Sequence, residues 1–454
     1  MLWRHLCLVR AWSAAGLLTS SLFGAAFSAP AFGEPEGPVP SPALAAPIDT
    51  VSVLQAKKAG DLAMELRGAG ETKVRISLKN TSDRKLKVVL PPGLVASSVT
   101  AQGRGGGFQS MGLGSVGNLP GSFGDFRKPI ASNTTGFRSV NVSGQINEDR
   151  VVSIPVGQTV AMTLPSVCLN YGVRTPNIRD KFELVDVNDY TSDPRARKAL
   201  RTLATYGTSQ GVAQAAMWRV CNDVPFDTIL QTMSQHCNPR EIGLAARFVE
   251  ALDASGSSDL VDPKYLSEGR LYVRILADGA LAKDATRLTR DLEGLKVLGL
   301  PVRMIDGNND VPAIAPAVLM NVQLTTGPDG GTKARVSVSQ SSYNGGWSPI
   351  GKTTFSSGAP ANRLEALELA KSLDRSVGTA FVAIRVVKRT SGQTTLRVDN
   401  MLPLTLSGLT LRSGDSLGDP TVSVDSLGIA PGRSALIPFQ APNAFVDHAE
   451  FNGL

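Results

Sequence analysis

The stretches IPVGQTVAMTL (Ile154–Leu164) and IAPGRSALIPF (Ile429–Phe439) share one pattern. Each places Ile three residues before a turn Gly. A hydroxyl residue follows two positions later, and apolar residues then alternate as they do in a half-buried strand. Upstream, Leu78-Lys79-Asn80 resembles Val398-Asp399-Asn400. The interval from Asn to Gly is much longer in the first copy (80–157) than in the second (400–432), which leaves room there for an insertion. Two related β modules are therefore expected near the ends of the chain.

Working outward from the first copy, Val74, Ile76 and Leu78 fall on one face of a strand by strict alternation. A turn at Asn80–Asp83 follows, and Leu86, Val88 and Leu90 alternate again. Val160, Met162 and Leu164 make a further strand that leads to Cys168. Short alternating strands with turn punctuation predict an immunoglobulin-like β-sandwich over 51–188. Its insertion is a Gly-rich loop at 103–124, where the cost of ordering glycine backbone predicts mobility. The G-x-G-x-x-G at Gly112, Gly114 and Gly117 lies inside that loop. With Pro120-Gly121 directly after it, no helix opens there to hold a phosphate.

The middle of the chain reads as helical. Asp193-Pro194, Ser209, Pro225 and Asn238-Pro239 are helix starts, and Gly207 and Gly256 are stops. They define a small helical bundle over 192–257. A strand-helix-strand connector is expected over 262–314, and a second β-sandwich with one helix over 315–454. The fold class expected is thus a multidomain, β-rich α+β chain: two immunoglobulin-like sandwiches separated by a helical bundle and a connector.

Arg4, His5 and Arg10 precede an apolar run over 11–27, and Ser28, Ala29, Ala31 and Gly33 offer cleavage points. This is the pattern of a secretory signal peptide over 1–33, cut between about 28 and 33. A Pro/Ala-rich linker over 34–50 follows. The protein is expected to be secreted, periplasmic or in the cell envelope, with no transmembrane segment after cleavage. A net charge of +7 over 454 residues is no nucleic-acid signature.

With three His in the chain, and no G-x-S-x-G or H-E-x-x-H, no hydrolase constellation emerges. The cysteines lack C-x-x-C spacing, so neither a metal site nor a cofactor is expected. A pair of carboxylates for glycosidase chemistry leaves no spacing signature, so an unrecognised carbohydrate-active enzyme stays among the alternatives.

Once Cys7 leaves with the signal peptide, Cys168, Cys221 and Cys237 remain. An oxidising compartment and an odd count imply one disulfide and one thiol. Cys221 closes one helix and Cys237 follows the next, so a helical hairpin separates them by ~15 Å. The expected bridge is Cys168–Cys221, joining sandwich to bundle.

Gln214-Ala215-Ala216-Met217-Trp218 resembles the Q-x-A-I-W stretch of thioester domains in bacterial surface adhesins. That resemblance implies that Cys168 and Gln214 condense with loss of ammonia, giving an acyl-thiol that reacts with host nucleophiles. More broadly, an immunoglobulin-like module followed by a helical module resembles secreted bacterial proteins of unknown function. The leading expectation is an exported, non-enzymatic interaction or scaffold protein of the cell envelope. Its partner would be another envelope protein or a polysaccharide, with no nucleic acid involved. A covalent thioester adhesin is the alternative.

Overall fold

The two copies of the opening motif fold in the same way in the computed structural model. It describes residues 50–98, 107–114, 136–137, 152–232, 237–268, 270–277, 279–306, 309–314, 316–341, 346–390, 393–414, 421–439 and 444–454. The segments expected to be a signal peptide and, but for Thr50, a linker lie outside the described residues.

In the first copy Leu62–Gly68 pairs with Lys73–Asn80, which pairs with Thr159–Cys168. In the second, Val382–Thr390, Gln393–Asn400 and Ser434–Phe439 repeat that order. A second sheet pairs Leu86–Val89 with Val152–Ile154 in one copy and Thr405–Arg412 with Thr421–Ile429 in the other. A buried asparagine holds the two sheets of each copy together. Asn80 donates from Nδ2 to the carbonyls of Arg84 (2.7 Å) and Ile154 (2.9 Å), and its Oδ1 accepts from Ser82 N (2.9 Å). Asn400 does the same to Leu404 (2.7 Å) and Ile429 (2.9 Å), accepting from Leu402 N (3.0 Å). The turn glycines match as well: Gly157 and Gly432 both have φ 68°, the left-handed region that side chains disfavour.

The first copy departs from the second most plainly in its longest strand. Thr159–Cys168 runs for 10 residues, Ser434–Phe439 for 6. The extra length pairs with Met111–Leu113 and helps close a barrel of six strands. Residues 107–114 fall within the loop expected at 103–124. They are buried structure rather than an open loop; 103–106 and 115–124 lie outside the described residues. Phe108, Met111 and Leu113 supply the apolar surface that offsets the cost of ordering glycines. Gly112 packs close: a Cβ there would sit 2.7 Å from Leu200 Cδ1 and push that methyl aside.

Between the β modules lie the helices Pro194–Tyr206, Gln210–Asn222, Phe226–Thr232 and Pro239–Ala254. Asp193, Ser209 and Asn238 cap three of them by accepting from Arg195 N, Val212 N and Arg240 N. A six-stranded sheet follows, in the order Lys296–Val297, Leu300–Met304, Leu271–Ala277, Val318–Thr326, Thr332–Ser341, Trp347–Ser357. Leu271–Ala277 pairs in parallel with Val318–Thr326, so one sheet runs across position 314, where connector and sandwich were expected to part. Helix Ala282–Leu292 makes the crossover and buries Ala285, Leu288 and Leu292 at helical spacing. Helix Ala366–Phe381 buries Leu369, Leu373, Val377 and Phe381. The described residues form one compact unit. No helix among the described residues is long and apolar enough to cross a membrane.

His448 pins this sheet's long helix to the last strand, Phe445–Asn452. Its Nδ1 meets Asp374 Oδ2 at 2.5 Å and its Nε2 meets Glu450 Oε1 at 3.3 Å. Hydrogen bonding to Asp374 first, then Glu450, pushes the imidazole up to about 10. A raised folded value stabilises fully below the unfolded value of ~6.5, and that stabilisation is lost as pH rises through about 10. Thermal denaturation between pH 6.5 and 10 should show a falling Tm in the native protein, and a shallower fall in His448→Leu. Identical slopes would show that the contact carries no such linkage.

Candidate functional site

The site lies where the extended barrel strand meets the second helix of the bundle. Helix Gln210–Asn222 starts at the Ser209 cap and ends at Asp223, whose φ of 54° turns the chain out of the helix. Ala213, Ala215 and Ala216 are fully buried, and their small side chains let the helix lie close to its neighbours. Strand and helix then touch in step. Gln210 Nε2 donates to Ser166 O (2.5 Å), Gln214 reaches Cys168, and Asn222 Oδ1 accepts from Tyr171 N (3.1 Å).

The central contact is two-pronged. Gln214 Oε1 accepts from Cys168 N (2.8 Å), while its Nε2 donates to Cys168 O (3.0 Å). One carboxamide thus clasps the peptide groups on both sides of the Cys168 Cα. The Cys168 thiol, itself buried, donates to Glu71 O (3.4 Å) from the turn between the first two barrel strands. Burial, then the negative charge of Glu71, pushes this thiol up to about 12. It is held protonated at neutral pH, which excludes the exposed, low-pKa environment of a redox cysteine.

A cavity of about 80 Å³ opens beside the pair. Its inner wall is Cys168, Gln109, Gly211, Gln214 and Trp218; Glu71, Thr72 and Thr175 are more exposed. Thr175 Oγ1 reaches Glu71 Oε1 at 3.5 Å. Tyr171 packs edge-on to Trp218, ring centroids 5.3 Å apart. Two buried polar atoms of this lining, Gln109 Oε1 and Trp218 Nε1, have no hydrogen-bond partner.

The structure brings Cys168 and Gln214 together and leaves Cys221 apart. The expected Cys168–Cys221 disulfide is not formed: Cys168, Cys221 and Cys237 are all free. The reason lies in the helix. Cys221 stands seven residues beyond Gln214, ~10 Å along the axis, while Cys168 lies opposite Gln214. Cys237 is buried with its thiol on Gly211 O (3.3 Å). Burial pushes both Cys221 and Cys237 up to about 12.

Glu71, Gln109 and Gln210 escaped the sequence reading. Gln210, Gln214 and Trp218 do form an i, i+4, i+8 row, a legible signal for one helix face. Nothing local marks Glu71 or Gln109, because tertiary pairing alone brings them to Cys168. Among the described residues no group of three His, Cys, Asp or Glu converges as metal ligands would. The chain matches no family model and no curated protein.

Proposed function

We propose that Cys168 and Gln214 form an internal thioester and that the exported protein uses it for covalent attachment to a target. The observation that carries this reading is the pair of hydrogen bonds, 2.8 and 3.0 Å, between the Gln214 carboxamide and the Cys168 peptide groups. In thioester formation Sγ attacks Gln214 Cδ. The C–S bond forms, the C–N bond breaks, and the thiol proton leaves with the amide nitrogen as ammonia. The Cys168 N–H on Gln214 Oε1 polarises the carbonyl and donates to the oxygen where negative charge develops. The Cys168 carbonyl orients the departing nitrogen.

Attack by a target nucleophile would transfer the Gln214 acyl group and return the thiol. The resemblance of Gln214–Trp218 to adhesin thioester domains supports the same chemistry. The five-strand unit and asparagine latch that both β modules share support reading them as immunoglobulin-like. Among the described residues Glu71 is the one carboxylate lining the cavity, so a two-carboxylate glycosidase gains no support there.

A second reading has its own observation. Both ends of the Gln214 amide are satisfied and the thiol is held protonated, as in an inert clasp between strand and helix. The protein is then a non-enzymatic interaction or scaffold protein of the envelope. Intact mass of the purified native chain separates the two. A thioester makes it lighter by one ammonia, restores full mass in Cys168→Ala and Gln214→Ala, and incorporates methylamine. An unreduced mass together with a thiol at Cys168 that titrates after denaturation would discard the thioester and select the clasp.

A further inference from the structure

The outer face of the six-stranded barrel carries a row of cations that lacks its counter-charge. Lys181, on the strand Lys181–Asp186, stands opposite Arg67, and Arg67 stands opposite Arg75. Residues directly opposite on neighbouring strands share a face with Cβ atoms about 5 Å apart, where like charges destabilise. The second repeat shows how such a clash is relieved. There Arg385 stands opposite Arg397, and Asp399 accepts from both, at 2.6 Å from Arg385 Nη2 and 2.8 Å from Arg397 Nε. In the first repeat the carboxylate at hand is Glu65, whose Oε1 accepts from Arg67 Nε (2.8 Å) and Nη2 (2.6 Å). Among the described residues the side chains of Arg75, Arg179 and Lys181 have no carboxylate partner.

A fastened turn makes this row into a cleft. Gly68 lets the turn at 176–179 sit against its strand: a Cβ there would lie 2.6 Å from Asn177 O. Asp180 holds the turn, accepting from Asn177 N (2.7 Å) and, through both oxygens, from Arg174 (2.9 and 2.8 Å). Arg67 Nη1 donates to Arg179 O (3.2 Å). The result is an open cleft of about 490 Å³ lined by Glu65, Arg67, Arg75, Ser77, Ile178 and Arg179. Glu65 is engaged by Arg67 and Asp180 by Arg174, so Arg75 and Arg179 line the cleft with their charge uncompensated.

We infer that this cleft binds a phosphate monoester. A lone carboxylate is satisfied by one guanidinium fork and would leave the second arginine unpaired. A phosphate monoester brings about two negative charges and three acceptor oxygens at neutral pH. It can pair with Arg75 and Arg179 and accept from the N–H groups that Arg67 keeps beyond its bonds to Glu65 and Arg179 O. The Ser77 hydroxyl adds a neutral donor, and Ile178, 65% exposed, offers an apolar wall to the carbon side of the ester. The cleft shares no lining residue with the Cys168 cavity, so the inference stands apart from the thioester.

Two probes carrying the same group separate its sources. Glycerol phosphate is titrated into the native protein by calorimetry, and phosphatidylcholine vesicles with and without phosphatidate are offered in co-sedimentation. The expected result is saturable binding of glycerol phosphate that acetate at equal ionic strength does not displace. Binding to phosphatidate vesicles without binding of the soluble ester would support the site and assign the group to a lipid headgroup. Arg75→Gln and Arg179→Gln change side chains at the surface and should leave the Tm in place, while each weakens binding about tenfold. Binding of neither probe, equal displacement by acetate, or native affinity in both arginine variants would each overturn the inference.

Discussion

Glu241→Ala is expected to destabilise the protein by about 2–3 kcal/mol, from the lost helix cap and the lost hydrogen bonds to its buried carboxylate; Arg433, 40% exposed, stays solvated when its partner is removed. Glu241 is 1% exposed and serves three parts of the molecule at once. Its Oε2 accepts from Asn238 N (2.8 Å), completing a capping box at the start of helix Pro239–Ala254. The same oxygen accepts from Arg433 Nε (3.1 Å) and Nη2 (2.9 Å), on the turn of the second repeat. Its Oε1 accepts from Ser209 Oγ (3.1 Å), the hydroxyl that caps the Gln214 helix. Alanine would remove the carboxylate that Arg433 faces and expose the cap to fraying. Glu241→Gln preserves the shape but not the charge, and should lose less. Denaturant unfolding of the native protein and both variants measures this. A loss under about 1 kcal/mol in Glu241→Ala would mean that the surroundings relax to pair these groups elsewhere.

The second large effect is predicted for the paired asparagines. Asn80→Ala and Asn400→Ala should each cost about 2–4 kcal/mol, because each strips partners from two carbonyls and one N–H in or near the core. Asn80 is 0% and Asn400 is 1% exposed. In each case one acceptor lies in the turn after the asparagine (Arg84, Leu404) and the other on a strand of the second sheet (Ile154, Ile429), so the loss also loosens the two sheets of the module. Aspartate, which lacks the NH₂ donor, should be no better than alanine. The two sites lie in different modules, and their costs should add in the double variant. Unequal costs, one near zero, would show that the shared geometry does not carry a shared role.

The repeat was legible because it is local in pattern, whereas the hydrogen bonds from Asn80 to Ile154 and from Asn400 to Ile429 span residues remote in sequence and were not. Asparagine at a strand end, a turn glycine and alternating apolar residues recur in both copies, and each feature reflects a constraint that acts within a few residues. The helix starts were legible for the same reason: Asp193, Ser209 and Asn238 satisfy orphan N–H groups two or three positions ahead of them. Met111–Leu113 was not legible. Glycine carries no side chain to report burial, and what orders this strand is pairing with Cys168 and contact with Leu200, both remote in sequence.

The amino-acid sequence by itself determined the repeat, the capped helices, the free choice among three cysteines and a five-residue likeness that made Gln214 worth watching. Tertiary structure decided which cysteine that glutamine meets. Sequence spacing along a helix sets distances only within that helix. Which turn faces a given strand depends on how the barrel closes and how far Thr159–Cys168 extends. That extension, absent from the second copy's shorter strand, carries Cys168 to the level of Gln214 and leaves Cys221 two turns further on.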